Sequence, residues 1–388
     1  MTDHVRTAHP SALARLRRRA LGFARRLGGE GSGISPRAYA ESARSERYFH
    51  RTLRPGAVHR APLPGNMARR GDLRRDRHPW GFSFHDVPER RIDPRCVACL
   101  PECRIVPGRN RWGSEFHAIV ARDGREVRLR GTGFPPDEEL EPLGAAPPVD
   151  LGEAAWIVGR WHRNYYHWLV YHLPQVMAFQ ELGVVDRILI PRAGRLAPVI
   201  EDSLQALGLA ASGLRSLPPG PARADPLWVV ESDRFDPELL RELRRRIAGS
   251  GRPPSRRVYL SRDRARKRRL AGAAQTLGSL ESAGFELVEA EDLEFQEQVA
   301  LASETAILAG VHGAGLANMI FMPEGAHVVE LANPRYPSPA FYALASALGL
   351  RYWLLWGTPS DERGRAALDV EVDPRAIERV IADIEAGG

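Results

Sequence analysis

The stretch ILAGVHGAGLANMIFMPEGAHVVEL, residues 307–331, runs apolar, then His-Gly-Ala-Gly, then apolar again, and closes on a short β-type run ending in a glutamate. TAILAG (305–310) has the length and composition of a buried strand, GLANMIFM (315–322) reads as a helix, and HVVELA (327–332) as the next strand. Gly313 and Gly315 therefore fall where a strand turns into a helix, with His312 at the strand's carboxyl end. Backbone N–H groups and a helix dipole can meet an anion at such a turn. Glycine-rich turns also arise simply to pack, so the surrounding chain decides between the two readings.

The same alternation runs from Ala154 onward. AAWIVG, DRILIP and PLWVVES read as strands separated by helical stretches, the last of them DPELLRELRRRIAGSG (236–251) with an aspartate cap. After the linker-like GSGRPPS (249–255) the pattern resumes with RVYLS, ELVEA, TAILAG, HVVELA and RYWLLWG as strands, and DPRAIERVIADIEAG as the final helix. Strands alternating with helices predict parallel sheets covered on both faces. The expected fold class is α/β, with two Rossmann-like domains facing across a cleft. The boundaries drawn are a basic, flexible arm over 1–75, a first domain over 76–249 and a second over 250–388. Within the first domain, FHAIVARDG and REVRLRG (116–131) read as a hairpin with Asp-Gly at its turn.

The chain has 388 residues and a formal charge of +7, but the charge is not evenly spread. Residues 1–30 carry +5, residues 256–269 carry +7, and the remainder is about −5. That imbalance argues against a nucleic-acid binder and for two local basic features. Lys267 is the single lysine, so the positive charge is nearly all arginine, whose fork suits phosphate. No run reaches the roughly 20 apolar residues needed to span a bilayer. SALARLRRRALGFARRLGG (11–29) reads as a basic tail, with weak association with an anionic membrane surface as its alternative. Without a secretory signal pattern the expected compartment is the cytoplasm. The three cysteines, Cys96, Cys99 and Cys103, lie in RCVACLPEC. They lack the second spaced pair of a zinc site, so they are read as strand and turn, with no metal expected.

Two further segments carry chemistry. In YLSRDRARKRRL (259–270), Ser261 and Arg262 follow a strand's carboxyl end. If the chain turns helical there, Arg262 and Arg266 face the same way and could clamp a diphosphate. In NYYHWLVYHLPQV (164–176), Asn164 caps a helix whose core stripe is Trp168, Leu169, Leu173, Val176 and Met177, with Pro174 forcing a kink or restart. His167 and Tyr171 share another face at i and i+4, and a histidine at a cleft can serve as a general base.

In that order and spacing, NYYHWLVYHLP, VYLSRDRAR and GVHGAGLANMIFMPEGAHVVEL resemble glycosyltransferase family 61, over about residues 155–360. The resemblance implies glycosyltransferase fold type B, with the nucleotide-sugar bound mainly by the second domain, the first being the acceptor side, and inversion at the anomeric carbon. It implies a nucleotide-sugar donor, expected to be UDP-linked, and a glycan or polysaccharide acceptor. It places Arg262, Arg266, His312, Gly313, Ala314, Gly315, Asn318 and Glu330 at the donor, Glu330 on the ribose hydroxyls. Asn164 and His167 would face the donor, His167 acting as base. Where the family usually has Asp or Glu this chain has Tyr171, which leaves His172 as another candidate base. That departure also motivates an alternative, a non-catalytic nucleotide- or glycan-binding relative. No tight Asp-x-Asp occurs; DVEVD (369–373) reads as a strand, so arginines rather than a divalent cation are expected at the leaving diphosphate.

Overall fold

The structure, a computed structural model, describes residues 33–76, 81–110, 115–129, 140–142, 147–158, 163–190, 194–249, 253–360 and 369–387. The amphipathic basic stretch at 11–29 lies outside them. The protein is mixed α/β with several sheets.

Among the described residues the first large sheet has six strands: β1 (Phe49–Arg54), β2 (Arg95–Leu100), β3 (Ala154–Trp156), β4 (Ile188–Ile190), β5 (Arg215–Ser216) and β6 (Leu227–Glu231). Their order is β1-β2-β6-β3-β4-β5, with β2 antiparallel to both neighbours and β6 to β5 parallel. A smaller sheet built on Cys103–Asn110 and Glu115–Ala121 packs beside it. The Asp-Gly turn forms, with Gly124 at φ +89° and the Ala121 N–H on the Arg125 carbonyl at 2.8 Å. On its return leg Val127 donates to the Ile119 carbonyl at 2.7 Å and also bridges to Ile34. Cys96 and Cys99 lie on β2, buried along its whole length, and Cys103 opens the next strand; all three are free thiols. Burial pushes the Cys99 thiol up to about 12.

The second sheet is wholly parallel: β7 (Arg256–Leu260), β8 (Phe285–Val288), β9 (Thr305–Val311), β10 (His327–Ala332) and β11 (Arg351–Trp356), in the order β8-β7-β9-β10-β11. β9 and β10 are almost entirely apolar and buried, as strands covered on both faces must be. DVEVD does three separate jobs: Asp369 pairs with Arg269 at 2.9 Å, Val370–Glu371 is a strand, and Asp373 caps the last helix.

The two sheet regions share one core. Trp168, Leu240, Phe321 and Leu344 belong to a single apolar cluster drawn from both. Helix Pro237–Ala248 starts at Asp236, whose carboxylate accepts from Glu238 N and Leu239 N, and buries Leu239, Leu240 and Leu243. From its other side Arg241 donates to the Ala347 carbonyl and Arg244 to those of Met322 and Leu348, satisfying the carboxyl end of helix Ala340–Leu348.

Residues 33–76, expected within a loose arm, are built into this frame. Helix Pro36–Ser42 buries Tyr39, and β1 closes one edge of the first sheet. The chain then crosses to β11, the edge strand of the parallel sheet. Asn66 donates to the Leu354 carbonyl (2.7 Å) and accepts from the Leu354 N–H (3.2 Å), while the Gly65 N–H bonds the Tyr352 carbonyl (2.8 Å). A Cβ on Gly65 would stand 2.6 Å from the Trp353 ring, so only glycine allows this approach. Composition alone hid the segment, because backbone pairing to an edge strand requires no periodic apolar residues. Replacing Asn66 with Ala strips both partners from Leu354. The expected loss is about 1–3 kcal/mol, read as a Tm several degrees lower; an unchanged Tm would show the edge is not held this way.

Candidate active site

In a parallel sheet, ligands meet the carboxyl ends of the strands where the strand order reverses. Here that point lies between β7 and β9. A cavity of about 250 Å³ opens there, walled by loops from three adjacent strand ends: Lys267 and Arg268 after β7, His312 to Ala314 after β9, and Tyr336 and Ser338 after β10. Asn164, Tyr166 and His167 from the first region form the opposite wall, with Ala340 and Phe341 at the side. Two larger grooves, of about 990 and 910 Å³, lie open on the surface. The first runs between two outer helices and the second beside helix Ala197–Ala206, and neither brings strand-end loops of both regions together.

The β7 loop is irregular rather than helical, and this changes which arginines meet. Arg262 turns back onto its own loop, donating to the carbonyls of Arg268 (3.0 Å) and Lys267 (3.3 Å). Its guanidinium also lies against Gly313, where an added Cβ would stand 2.0 Å from Nη1. Arg266 is exposed and does not line the cavity. Arg268 takes the place expected for it, at φ +61° with its guanidinium 5.3 Å over the Tyr336 ring. Burial lowers the pKa of both Arg262 and Arg268, and for Arg262 the neighbouring Arg268 adds to the effect. Two half-buried cations side by side are electrostatically suited to an anion between or above them.

His312 lines the cavity with its ring edge-on to Phe341 (4.9 Å) and Tyr336 (5.2 Å). Its Nδ1 pairs with Glu330 Oε1, and the other carboxylate oxygen accepts from the Tyr352 hydroxyl at 2.5 Å. Glu330 has no exposed surface, so it is a partner of His312 and not the expected acceptor for ribose hydroxyls. Burial, opposed by Glu330, lowers the His312 pKa, and Arg268 and Arg262 act with burial.

Ala314–Phe321 is a 3-10 helix where an α-helix was expected, and Leu316 through Phe321 are all buried. Asn318 within it is structural: its amide donates to Gln298 (2.9 Å) and its oxygen accepts from the Tyr165 hydroxyl (2.5 Å), which ties the two regions together. Gly315 does not line the cavity, and a Cβ there would meet only an ordinary contact with Leu260 at 3.7 Å.

On the facing wall Asn164 caps the helix start, its oxygen accepting from the His167 N–H at 3.3 Å. The helix passes through a π segment, Trp168–His172, before Leu173–Glu181, with Pro174 in the first turn of the restart. His167 and Tyr171 consequently do not share the cavity face. Tyr171 is buried between the Arg234 guanidinium (5.6 Å from its ring) and His172 (5.3 Å). His172 is buried too, its Nδ1 donating to the Ile157 carbonyl at 2.6 Å. Neither lines the cavity. His167 does, and burial, then Arg234 and His172, hold its pKa well below the ordinary value.

Residues 165–329 match the family model described as Glycosyltransferase 61. Over 107 residues the chain is 36% identical to the EGF domain-specific O-linked N-acetylglucosamine transferase of Drosophila melanogaster, covering 26% of this chain and 20% of that one. The 165–329 segment is similar to glycosyltransferase family 61. The chain spans about a fifth of the length of that curated relative. A solved structure, the bacterial iron-containing dodecameric glycosyltransferase TibC from enterotoxigenic E. coli H10407, aligns over 67% of this chain and 80% of its own at 12% identity, with a TM-score of 0.26.

The segment matched by the family model contains His167, Lys267, Arg268 and His312 to Ala314, while Tyr336, Ser338 and Phe341 lie beyond it. These last were missed in the sequence, although the strand-end rule that pointed to His312 applies equally to the loop after β10. Among the described residues no group of three His, Cys, Asp or Glu side chains is placed to hold a metal.

Burial lowers the pKa of His59, His167, His312 and His327, the last to about 4. A histidine depressed in the fold takes up fewer protons than in the unfolded chain, so its contribution is complete above about pH 6.5 and declines as pH falls toward the folded value. Tm should therefore fall by several degrees between about pH 7 and about pH 5. A flat or rising Tm across that interval would contradict the burial of these rings.

Proposed function

We propose that the protein is a glycosyltransferase that moves a sugar from a nucleotide diphosphate to a hydroxyl of a glycan or polysaccharide acceptor. The observation that carries this reading is the pairing, in one cavity of the family 61 segment, of Arg268, Lys267 and the Gly313 turn with His312 and His167. The cations suit the diphosphate and a neutral histidine suits an acceptor proton. A volume of about 250 Å³ fits the diphosphate and the reacting end of the sugar, with the nucleoside extending along the exposed rim at Arg266 and Lys267.

On this reading the all-parallel second sheet is the donor-binding Rossmann-like unit, and the β6-β3-β4-β5 part of the first sheet belongs to the acceptor-side unit. A direct displacement, with inversion, fits a cavity that places histidines near the diphosphate cations. UDP is the expected nucleotide, and Arg268 and Lys267 do the neutralising that a divalent cation does elsewhere. The non-catalytic alternative was motivated by Tyr171 standing where the family usually has an acid; Tyr171 does not line the cavity, so its presence takes nothing from the cavity wall.

A thermal-shift panel with UDP, GDP and CMP, followed by nucleotide-release assays with the matching sugar donors, tests the proposal. A binding diphosphate should raise Tm, and turnover should persist in EDTA. Arg268→Ala should weaken diphosphate binding about 10- to 150-fold, the equivalent of about 1.5–3 kcal/mol for charge-assisted hydrogen bonds. Gly313→Ala should act in the same direction by displacing Arg262 from the loop carbonyls. If no diphosphate stabilises the wild type and no donor is consumed, the reading fails.

A further inference from the structure

We propose that His312 is the group that takes the proton from the acceptor hydroxyl, and that Glu330 and Tyr352 behind it are positioning residues. This rests on the transferase reading above and assigns the proton acceptor within that site.

The inference starts from a buried charge. Glu330 sits on β10 with no exposed surface, and a carboxylate in that setting must be held by donors. It has two, the Tyr352 hydroxyl on β11 and His312 Nδ1 at the end of β9. A carboxylate facing Nδ1 fixes the proton on Nδ1, so the lone pair of the neutral ring resides on Nε2. The two nitrogens point to opposite sides of the ring. With Nδ1 turned toward the sheet, Nε2 turns toward the cavity that His312 lines. Phe341 and Tyr336 pack edge-on against the ring and limit its rotation. An orienting carboxylate, a histidine of set tautomer and an open face form the base half of the triad logic seen in hydrolases.

The groups around His312 suit that task. Glu330 and Tyr352 stand behind it on the sheet, Arg262 and Arg268 reach it from the β7 loop, Tyr336 from the β10 loop, and His167 and Lys267 line the same cavity. Burial, with Arg268 and Arg262 and against Glu330, favours the neutral ring before substrate arrives. A diphosphate beside the arginines offsets their charge and raises the basicity of Nε2 when the acceptor is in place. For His167, burial, then Arg234 and His172, all oppose protonation, whereas Glu330 favours the protonated form of His312.

In the step itself the acceptor O–H proton passes to His312 Nε2 and the acceptor oxygen bonds to the anomeric carbon. The bond from that carbon to the diphosphate oxygen breaks, and its electron pair leaves with the nucleoside diphosphate. The imidazolium is held by Glu330 until its proton is lost to water.

The test uses the full chain with Glu330→Gln, Tyr352→Phe, His312→Gln and His167→Ala. Glutamine at 330 can donate to Nδ1, which moves the ring proton to Nε2 and removes the lone pair from the cavity. Glu330→Gln should therefore keep the nucleotide-dependent rise in Tm and the donor KM while lowering kcat by about 10²- to 10⁴-fold. The acidic limb of the kcat–pH profile should move or vanish in Glu330→Gln and Tyr352→Phe and persist in His167→Ala. Imidazole ¹⁵N shifts of wild-type His312 supply a readout independent of turnover, and should show Nδ1 protonated and Nε2 bare. The proposal is overturned if Nε2 carries the proton, or if Glu330→Gln raises donor KM with kcat unchanged, which would make His312 a phosphate ligand. It is also overturned if His167→Ala alone removes the acidic limb. Should Glu330→Gln fail to fold, Tyr352→Phe and the ¹⁵N shifts still decide. Loss of diphosphate binding in the wild type would instead sink the transferase reading, with the tautomer still measurable.

Discussion

The 3-10 segment Ala314–Phe321 has no polar side except Asn318, so it must be covered all round. That requirement organises the molecule. The cover comes from helix Phe295–Ser303 and helix Ala340–Leu348 of the second region and from helix Pro237–Ala248 and the Tyr165 helix start of the first. A 3-10 turn is tighter than an α-turn and carries its side chains in three eclipsed rows. Such a rod suits burial among several helices better than an amphipathic α-helix lying on a surface. Asn318 meets the one polar need of the arrangement by bonding Gln298 on one side and Tyr165 on the other. The wall carrying Asn164 and His167 is thereby fixed against the strand end carrying His312.

Glu330 imposes a second constraint, and the two are linked through the cavity. An apolar strand that carries a carboxylate with no exposure has to find donors from its neighbours, and β9 and β11 each supply one. Tyr352 in turn stacks on Tyr342, at 4.9 Å between ring centres, and the Tyr342 hydroxyl donates to the Pro62 carbonyl. The chain segment that crosses from β1 to cap the edge of β11 thus packs onto the same aromatic pair that supports the carboxylate. Stability of the sheet edge and orientation of His312 draw on shared contacts, so their mutational effects should not be additive.

Much of the frame was legible in the sequence because it depends on local pattern. The strands from AAWIVG to RYWLLWG are short apolar runs bounded by turn residues, and the cap at Asp236 follows from one side chain and two backbone N–H groups. His312, Gly313 and Ala314, with Asn164 and His167, were reached from strand-end and helix-start positions, and they do line one cavity. What escaped depended on geometry that spacing does not encode. Arg266 was chosen over Arg268 on the assumption of helical spacing, and the loop instead turns through φ +61° at Arg268. Tyr171 was paired with His167 on an α-helical wheel, but the π segment breaks that wheel at Trp168. Glu330 looked like a ribose partner because acidic residues commonly end such strands, yet its two neighbours claim both oxygens.

The misreadings at the site have a common location. Among the described residues only Arg44 and Arg268 adopt positive φ without being glycine, and Arg268 is at the cavity. The π segment adjoins His167, the 3-10 rod starts at Ala314, and the buried carboxylate lies directly behind His312. Each of these is a local preference overruled: a backbone conformation costly for arginine, a helix widened by one residue per turn, a charge taken out of water. Sequence pattern follows local preference, so it fails where tertiary structure spends stability to hold side chains in place. In this chain those departures converge on the carboxyl edge of one parallel sheet, within the cavity and directly behind it. Elsewhere, as in the capped helices and buried strands of the second region, local pattern and tertiary structure agree. The contrast is independent of the family match, and it falls at the same end of the sheet as the cavity.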